Sequence, residues 1–463
     1  MINKVIASGL QRVDRVRNDF QSPPIGIKNM LNQILATRMW CGLLMCFSIL
    51  ALCFPVAGAE HKFDFGLGVS QPGVVNVTPQ TMYDSTRGFG FLKTEAARTG
   101  TSSLFAVDVP ERNYDVTLRF GDPVDATSTT VKSEARRLML EKVETAPGEY
   151  QTRSFTVNVR KPPISTGGTT RLNGREMGPP MIAGWDEHLT LEFSGLRPGV
   201  VSLEITPATH AITVFIAGDS TVTDQRNEPW SGWGQMIPRF FVQGVAVSNQ
   251  AESGLALFSF ESQKRLAKVL SMMKKGDYLF IQFGHNDQKD KRPDAGPFTT
   301  YQANLKKFIE ATRDHGGIPV LVTPMERRRW SGGKQQQTLT DYAEAVRQTG
   351  EALNVPVVDL HAMSLAFYAA LGVEDSKRAF VHYPADTYPG QNTALRDDTH
   401  HSVYGAYELA KCVVEGIKTN VPELAPFVVD DFDRFDPAHP DAPEDISIPV
   451  TPLLGEAATP AGS

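Results

Sequence analysis

Two hydrophobic patterns divide the chain. From about residue 60 to 206 apolar positions alternate with polar ones, as in Tyr114, Val116, Leu118 and Phe120, and again in Leu189, Leu191 and Phe193. A period of two belongs to half-buried antiparallel strands, whose side chains point alternately to core and solvent. Leu104 to Val109, Phe155 to Val159 and Val201 to Ile205 extend the pattern, separated by turn-rich pieces such as Lys161 to Gly174. An all-β sandwich over 60–206 is the predicted outcome.

From about residue 211 the pattern changes to short apolar runs, each followed by a helical stretch. Ile212 to Ala217, Val245 to Val247, Tyr278 to Gln282, Ile318 to Val322 and Val355 to Leu360 read as buried parallel strands. Between them Phe260 to Met273, Tyr301 to Arg313 and Thr340 to Leu353 carry apolar residues at helical spacing. Alternation of this kind predicts a doubly wound α/β domain over 211–420, with a parallel sheet between two helical layers. The remainder, 421–463, is rich in Pro and Asp with little periodicity, and is expected to be a partly disordered tail.

The first 59 residues stand apart. Trp40 to Phe54 is an almost unbroken apolar run, preceded by Arg38 and followed by Ala57-Gly58-Ala59, which is the layout of a secretory signal peptide cleaved near Ala59. The run is shorter than a spanning helix requires, the alternative being an uncleaved anchor. A secreted or periplasmic protein, without stable membrane insertion after cleavage, is the expectation. The polar lead over residues 1–29 is long for such a signal, and Met30 or Met39 would be a more natural start. Cys41, Cys46 and Cys53 fall within the signal, leaving Cys412 alone and no intramolecular disulfide in the mature chain. Cleavage removes six basic and two acidic residues, taking the net charge from −6 to −10 and excluding nucleic acid as a natural partner.

In doubly wound sheets functional groups gather beyond the carboxyl ends of the strands. The first strand of the α/β region runs into Gly218-Asp219-Ser220-Thr221, the third into Gly284-His285-Asn286-Asp287, and Asp397-Asp398-Thr399-His400-His401 precedes the last predicted helix. Ester cleavage needs a hydroxyl beside a base, with donors aimed at the oxyanion that forms. A serine after a strand is also a common helix cap, and what sets Ser220 apart is that three polar clusters fall at element boundaries. Spacing allows Asp397 with His400 or Asp398 with His401. No Gly-x-Gly-x-x-Gly or phosphate loop is present, and one cysteine with adjacent histidines makes no zinc signature, so neither cofactor nor metal is expected. The Gly-x-Ser-x-Gly elbow is absent around Ser220.

Over about residues 211 to 418 the sequence resembles the SGNH, or GDSL-like, hydrolase superfamily, and within it the rhamnogalacturonan acetylesterase family. The resemblance is carried by Gly218-Asp219-Ser220-Thr221, by Asn249-Gln250-Ala251-Glu252-Ser253-Gly254, by Gly284-His285-Asn286-Asp287 and by Asp397 to His400. Gly232-Trp233-Gly234 and Thr323-Pro324-Met325-Glu326-Arg327-Arg328 add to it. Where that family commonly has an Arg-Ser pair after the second-block glycine, Leu255-Ala256 stands here. The region before it resembles galactose-binding or malectin-like modules.

This resemblance implies a flavodoxin-like α/β/α fold and a carbohydrate acetylesterase with Ser220 as nucleophile, His400 as base and Asp397 as its partner. Thr399 before the histidine and Gly405-Ala406 after it select that register, leaving His401 to face away and cap the following helix. Ser220, Gly254 and Asn286 are the implied oxyanion donors. The implied substrate is an acetylated polysaccharide or oligosaccharide, foremost pectic rhamnogalacturonan. Alternatives are acetyl xylan or another carbohydrate ester, acyl transfer by the same triad, or a non-catalytic carbohydrate-binding protein. Trp233, beside Trp230, is a candidate sugar-stacking surface against core packing as the plain alternative. Arg327 and Arg328 are candidates for uronate carboxylates, against a solvated charge run.

Overall fold

The computed structural model describes residues 60–452 apart from 67–71, 94–100, 179–180 and 389; the predicted signal peptide lies outside the described residues, as do 453–463. The described residues fall within one compact unit.

Five apolar runs after residue 211 build a parallel sheet: β1 Ile212–Gly218, β2 Val245–Asn249, β3 Tyr278–Gln282, β4 Ile318–Val322 and β5 Val357–Val358. Their spatial order is β2-β1-β3-β4-β5, with every neighbouring pair parallel. This is the flavodoxin-like order, whose chain reversal beside β1 leaves a crevice at the carboxyl end of the sheet. Val214, Ile216 and Phe280 face one apolar cluster with Leu409, Val413 and Ile417 of the helix Val403–Asn420. Phe215, Ala217 and Leu279 face the other, with Leu257, Leu266, Leu305 and Phe308. Burial on both faces is why these strands read as continuous apolar runs rather than as alternating ones.

Three details depart from the sequence reading. The run Phe260 to Met273 is two helices, Leu257–Ser262 and Arg265–Met272, broken where Lys264 adopts a left-handed φ of 61°. The run Val355 to Leu360 yields a two-residue strand. Asp359 then ends it by capping the helix Leu360–Asp375, its carboxylate accepting the Ala362 N–H. The third correction concerns the tail: its described part is ordered and packed, with Val421, Leu424, Val428, Phe432 and Phe435 in the same apolar cluster as β1 and β3. Val429 N–H and Val242 N–H bond across to the carbonyls of Phe240 and Phe427, fixing the segment to the body.

Upstream, among the described residues, ten strands form two five-stranded sheets. One orders Val75–Asn76, His61–Asp64, Val200–Pro207, Arg112–Gly121 and Tyr150–Val159. The other orders Phe89–Phe91, Thr101–Asp108, His188–Arg197, Thr127–Ser133 and Arg137–Thr145. All pairs are antiparallel except His61–Asp64 with Val75–Asn76. Val116, Leu118, Phe155 and Leu203 of the first share one cluster with Phe105, Val107, Leu189 and Leu191 of the second.

Candidate active site

β1 ends at Gly218, and the chain turns at once: the Val222 and Thr223 N–H groups both bond to the Asp219 carbonyl. The Asp219 carboxylate closes the turn by accepting Thr221 N–H at 2.9 Å and Thr221 O–H at 2.7 Å. Ser220 is thereby held at the carboxyl edge of the sheet with its hydroxyl free to meet another element. That element is the strand Leu395–His401, and His400 Nε2 lies 2.8 Å from Ser220 Oγ. His400 Nδ1 lies 2.7 Å from Asp397 Oδ2, while Asp397 Oδ1 accepts the backbone N–H groups of Thr399 and His400. The geometry selects Asp397 with His400 from the two registers that spacing allows. Asp398 instead meets Arg328 at 2.9 Å and His382 at 2.8 Å.

Burial opposes ionisation of Asp397, but the His400 hydrogen bond, its charge and the two N–H donors outweigh it and hold the carboxyl down to about 2. The carboxylate is therefore charged over the working range and fixes the imidazole with Nδ1–H toward itself and Nε2 toward the serine. A serine, a base and an orienting carboxylate in unbroken hydrogen-bond contact can activate a nucleophile.

Gly254 ends the second block, is exposed, and has a φ of 81°, a backbone state that favours glycine. The Asn286 amide donates to Leu255 O at 3.0 Å, tying the third-block turn to the Gly254 loop. Among the described residues, neither the Ser220 nor the Gly254 N–H donates within the protein. The Asn286 turn is itself braced, since Asp287 accepts the N–H groups of Gly284 and Leu257, and burial pushes its carboxyl up to about 7. His285, fully buried, places Nδ1 3.4 Å from Asp219 Oδ2, and burial lowers its basicity despite that charge.

The predicted substrate contacts need correction. Trp233 is wholly buried, and its indole N–H donates to Gln282 Oε1 at 2.7 Å, so it presents no face to a sugar. The flanking Gly234 allows this burial: a Cβ there would meet the Val222 carbonyl at 2.5 Å. Arg328 is bound to Asp398, Ser376 Oγ and the Val373 carbonyl, and Arg327 to Thr338 Oγ1 and the carbonyl of His285. Both guanidinium groups brace protein loops; of the three consecutive arginines it is Arg329 that is exposed. His401 does face away from Ser220, but the helix cap is the neighbouring Ser402, whose hydroxyl accepts the Gly405 N–H.

Sequence reasoning gave no structural role to the residues behind Ser220. Gln225 Nε2 donates to the Ser220 carbonyl at 2.5 Å, and the Trp230 indole N–H lies 3.4 Å from Asp397 Oδ2. Their surroundings are supplied by the upstream sheets: Arg136, Arg137 and Arg160 are all buried against this end of the α/β region. Arg175 adds an ion pair to Glu252 at 2.5 Å and a bond to the Ser253 carbonyl at 2.6 Å. The density of polar residues between Asp224 and Ser231, in a segment that is buried throughout but for Arg226, was the available signal.

Residues 216–391 match the GDSL-like Lipase/Acylhydrolase family. Rhamnogalacturonan acetylesterase RhgT of Bacillus subtilis (strain 168) is 42% identical over 210 residues, covering 45% of this chain and 90% of that protein. The chain belongs to the rhamnogalacturonan acetylesterase family. A second member, the probable rhamnogalacturonan acetylesterase YesY of the same organism, is 35% identical over 44% of this chain and 92% of its own length. The uncharacterized esterase YxiM, also from that organism, is 23% identical over 402 residues, 81% of this chain and 95% of its own. In this rhamnogalacturonan acetylesterase family member the family match lies within the α/β region, which carries the Ser220, Gly254 and Asn286 loops.

Proposed function

We propose that this protein is a secreted carbohydrate acetylesterase that removes O-acetyl groups from pectic rhamnogalacturonan through an acetyl-enzyme on Ser220. The observation that carries the reading is the line of contacts from Ser220 Oγ to His400 Nε2, 2.8 Å, and from His400 Nδ1 to Asp397 Oδ2, 2.7 Å. His400 takes the hydroxyl proton as Ser220 Oγ bonds to the acetyl carbon. The oxyanion is met by the N–H groups of Ser220 and Gly254 and by the Asn286 amide, each such donor lowering the barrier by about 3 kcal/mol. Collapse of the tetrahedral intermediate expels the sugar oxygen, which takes its proton from His400. Water, losing a proton to the same imidazole, then releases acetate and restores Ser220.

The preference for an acidic pectic substrate rests on the two family members named above, and Arg329 is the exposed cation that a galacturonate carboxylate would meet. The two upstream sheets are read as an all-β sandwich that resembles galactose-binding modules and accompanies the catalytic region. Export rests on the apolar run Trp40 to Phe54 and the Ala57-Gly58-Ala59 that follows it.

Acetate release from acetylated rhamnogalacturonan, acetylated xylan and an aryl acetate tests the reading. Release from rhamnogalacturonan at a higher kcat/KM than from xylan is expected, and is abolished in Ser220→Ala. A higher kcat/KM on xylan would overturn the pectic assignment, and no release from any of the three would overturn the esterase.

A further inference from the structure

The link between the strands Thr127–Ser133 and Arg137–Thr145 is only Glu134, Ala135 and Arg136, and it carries two non-glycine residues at positive φ, Glu134 at 55° and Arg136 at 64°. Such backbone persists where surrounding contacts over-determine it. Here the link is driven into the α/β region. The Ala135 carbonyl accepts Gln235 Nε2 at 2.9 Å, and the Arg136 side chain, almost completely buried, enters the loop that follows the nucleophile.

Three contacts define where Arg136 ends. Nη1 donates to the carbonyl of Gln225 at 2.8 Å and to the carbonyl of Trp230 at 3.3 Å, while Nη2 meets Glu228 Oε1 at 2.6 Å. Gln225 and Trp230 both reach the triad with their side chains: the Gln225 amide bonds to the Ser220 carbonyl, and the Trp230 indole faces Asp397. One nitrogen of one guanidinium thus holds the backbone of both residues, and through them the nucleophile and the carboxylate that lie at opposite ends of the triad. A lysine can reach one such carbonyl but lacks the planar fork that engages two carbonyls and a carboxylate together.

We propose that Arg136, carried by the upstream sheets, is a positioning residue for the Ser220, His400 and Asp397 triad. The two-sheet region is then a structural part of the catalytic site and not a detachable binding module. The proposal rests on the triad reading above. Displacement of reacting groups by about 1 Å from a distant change is sufficient to lower turnover on the order of 100-fold.

The test compares Arg136→Met and Arg136→Lys with Lys132→Met in the full chain. Lys132 serves as control because it is 3.8 Å from the same Glu228 and bonds Thr451 Oγ1, yet among the described residues hydrogen-bonds neither Gln225 nor Trp230. Competent sites are counted by covalent labelling of the serine with an organophosphonate, and kcat and KM are measured per labelled site on an aryl acetate. Arg136→Met is expected to lower kcat about 30- to 100-fold with KM changed less than about 3-fold, and Arg136→Lys to recover part of the loss. Lys132→Met is expected to lower the melting temperature with kcat retained.

Retention of kcat within about 2-fold in Arg136→Met would overturn the proposal, as would an equal fall in Lys132→Met. Should the Arg136 variants fail to fold, Gln225→Met, which removes the amide that holds the Ser220 carbonyl, takes their place: a fall in kcat supports the link and an unchanged kcat overturns it. Ser220→Ala, measured alongside, separates the two readings, because activity surviving there removes the triad itself and not merely its support.

Discussion

Tyr368 Oη and His401 Nε2 lie 2.8 Å apart in the core, with the Phe380 ring 4.5 Å from the imidazole. This pairing fixes what the second histidine of the His400-His401 pair does. Both are buried, but His400 reaches Ser220 whereas His401 packs against Tyr368 and Phe380. Replacing His400 by Ala is expected to lower kcat by about 10,000-fold with little change in stability, because the base is lost as part of a unit. Replacing His401 by Ala leaves a cavity and an unpartnered tyrosine hydroxyl, lowering stability by about 2–4 kcal/mol with kcat per folded molecule kept within a few-fold. Kinetics and thermal melts of both variants decide the matter; a dead, fully stable His401→Ala would reverse the assigned register.

Acid unfolding should proceed through two windows. Burial, with the nearby His285 and His400, lowers the His401 imidazole to about 3. The unfolded chain therefore binds this proton first, and stability is lost as pH falls from about 6.5 toward 3. The Asp397 carboxyl, held to about 2, contributes stability above its unfolded value that is lost as pH falls from about 4 through 2. The Asp397 contribution is on the order of 2 kcal/mol. Melting temperature against pH should thus be flatter between 6.5 and 4 in His401→Gln, and flatter below 4 in Asp397→Asn. Superimposable curves for either variant and the parent would contradict the assignment for that residue.

Arg328 and Arg329 should separate cleanly. Arg328 ties Asp398, the neighbour of the triad aspartate, to the turn around Ser376, so Arg328→Ala is expected to lower stability by about 1–2 kcal/mol. Its effect on kcat/KM should be the same for an acidic oligosaccharide and a neutral aryl acetate. Arg329→Ala, by contrast, should raise KM on the acidic oligosaccharide alone. A selective loss in Arg328→Ala would return that residue to the substrate.

Much of the catalytic region is legible in the sequence because its chemistry sits where strands end. Ser220, Asn286 and His400 each follow or end a strand, and a doubly buried strand announces itself as an unbroken apolar run. The tail reads as disordered because Val421, Leu424, Val428, Phe432 and Phe435 pack from irregular backbone, so no helical or strand period links them. Trp233 is misleading because an aromatic beside a nucleophile looks the same in one dimension whether it faces substrate or core. Arg136 and Arg137 are invisible for a different reason. In a strand pattern of period two a charged residue reads as a solvent-facing position, and only a second region packed against that edge turns it into a buried brace.

The burial of Val421 to Phe435 against β1 and β3 also sets an order of events during synthesis. A ribosome delivers the two-sheet region complete once Pro207 has emerged, since its last strand pairs with strands already made. The region that holds Ser220 cannot close until Phe435 is out, because its covering helix and the apolar segment beyond it are the last of its packed parts to appear. The upstream sheets are thus positioned to act as a folded template, offering Arg136 and Arg137 as ready anchor points before the Ser220 loop exists.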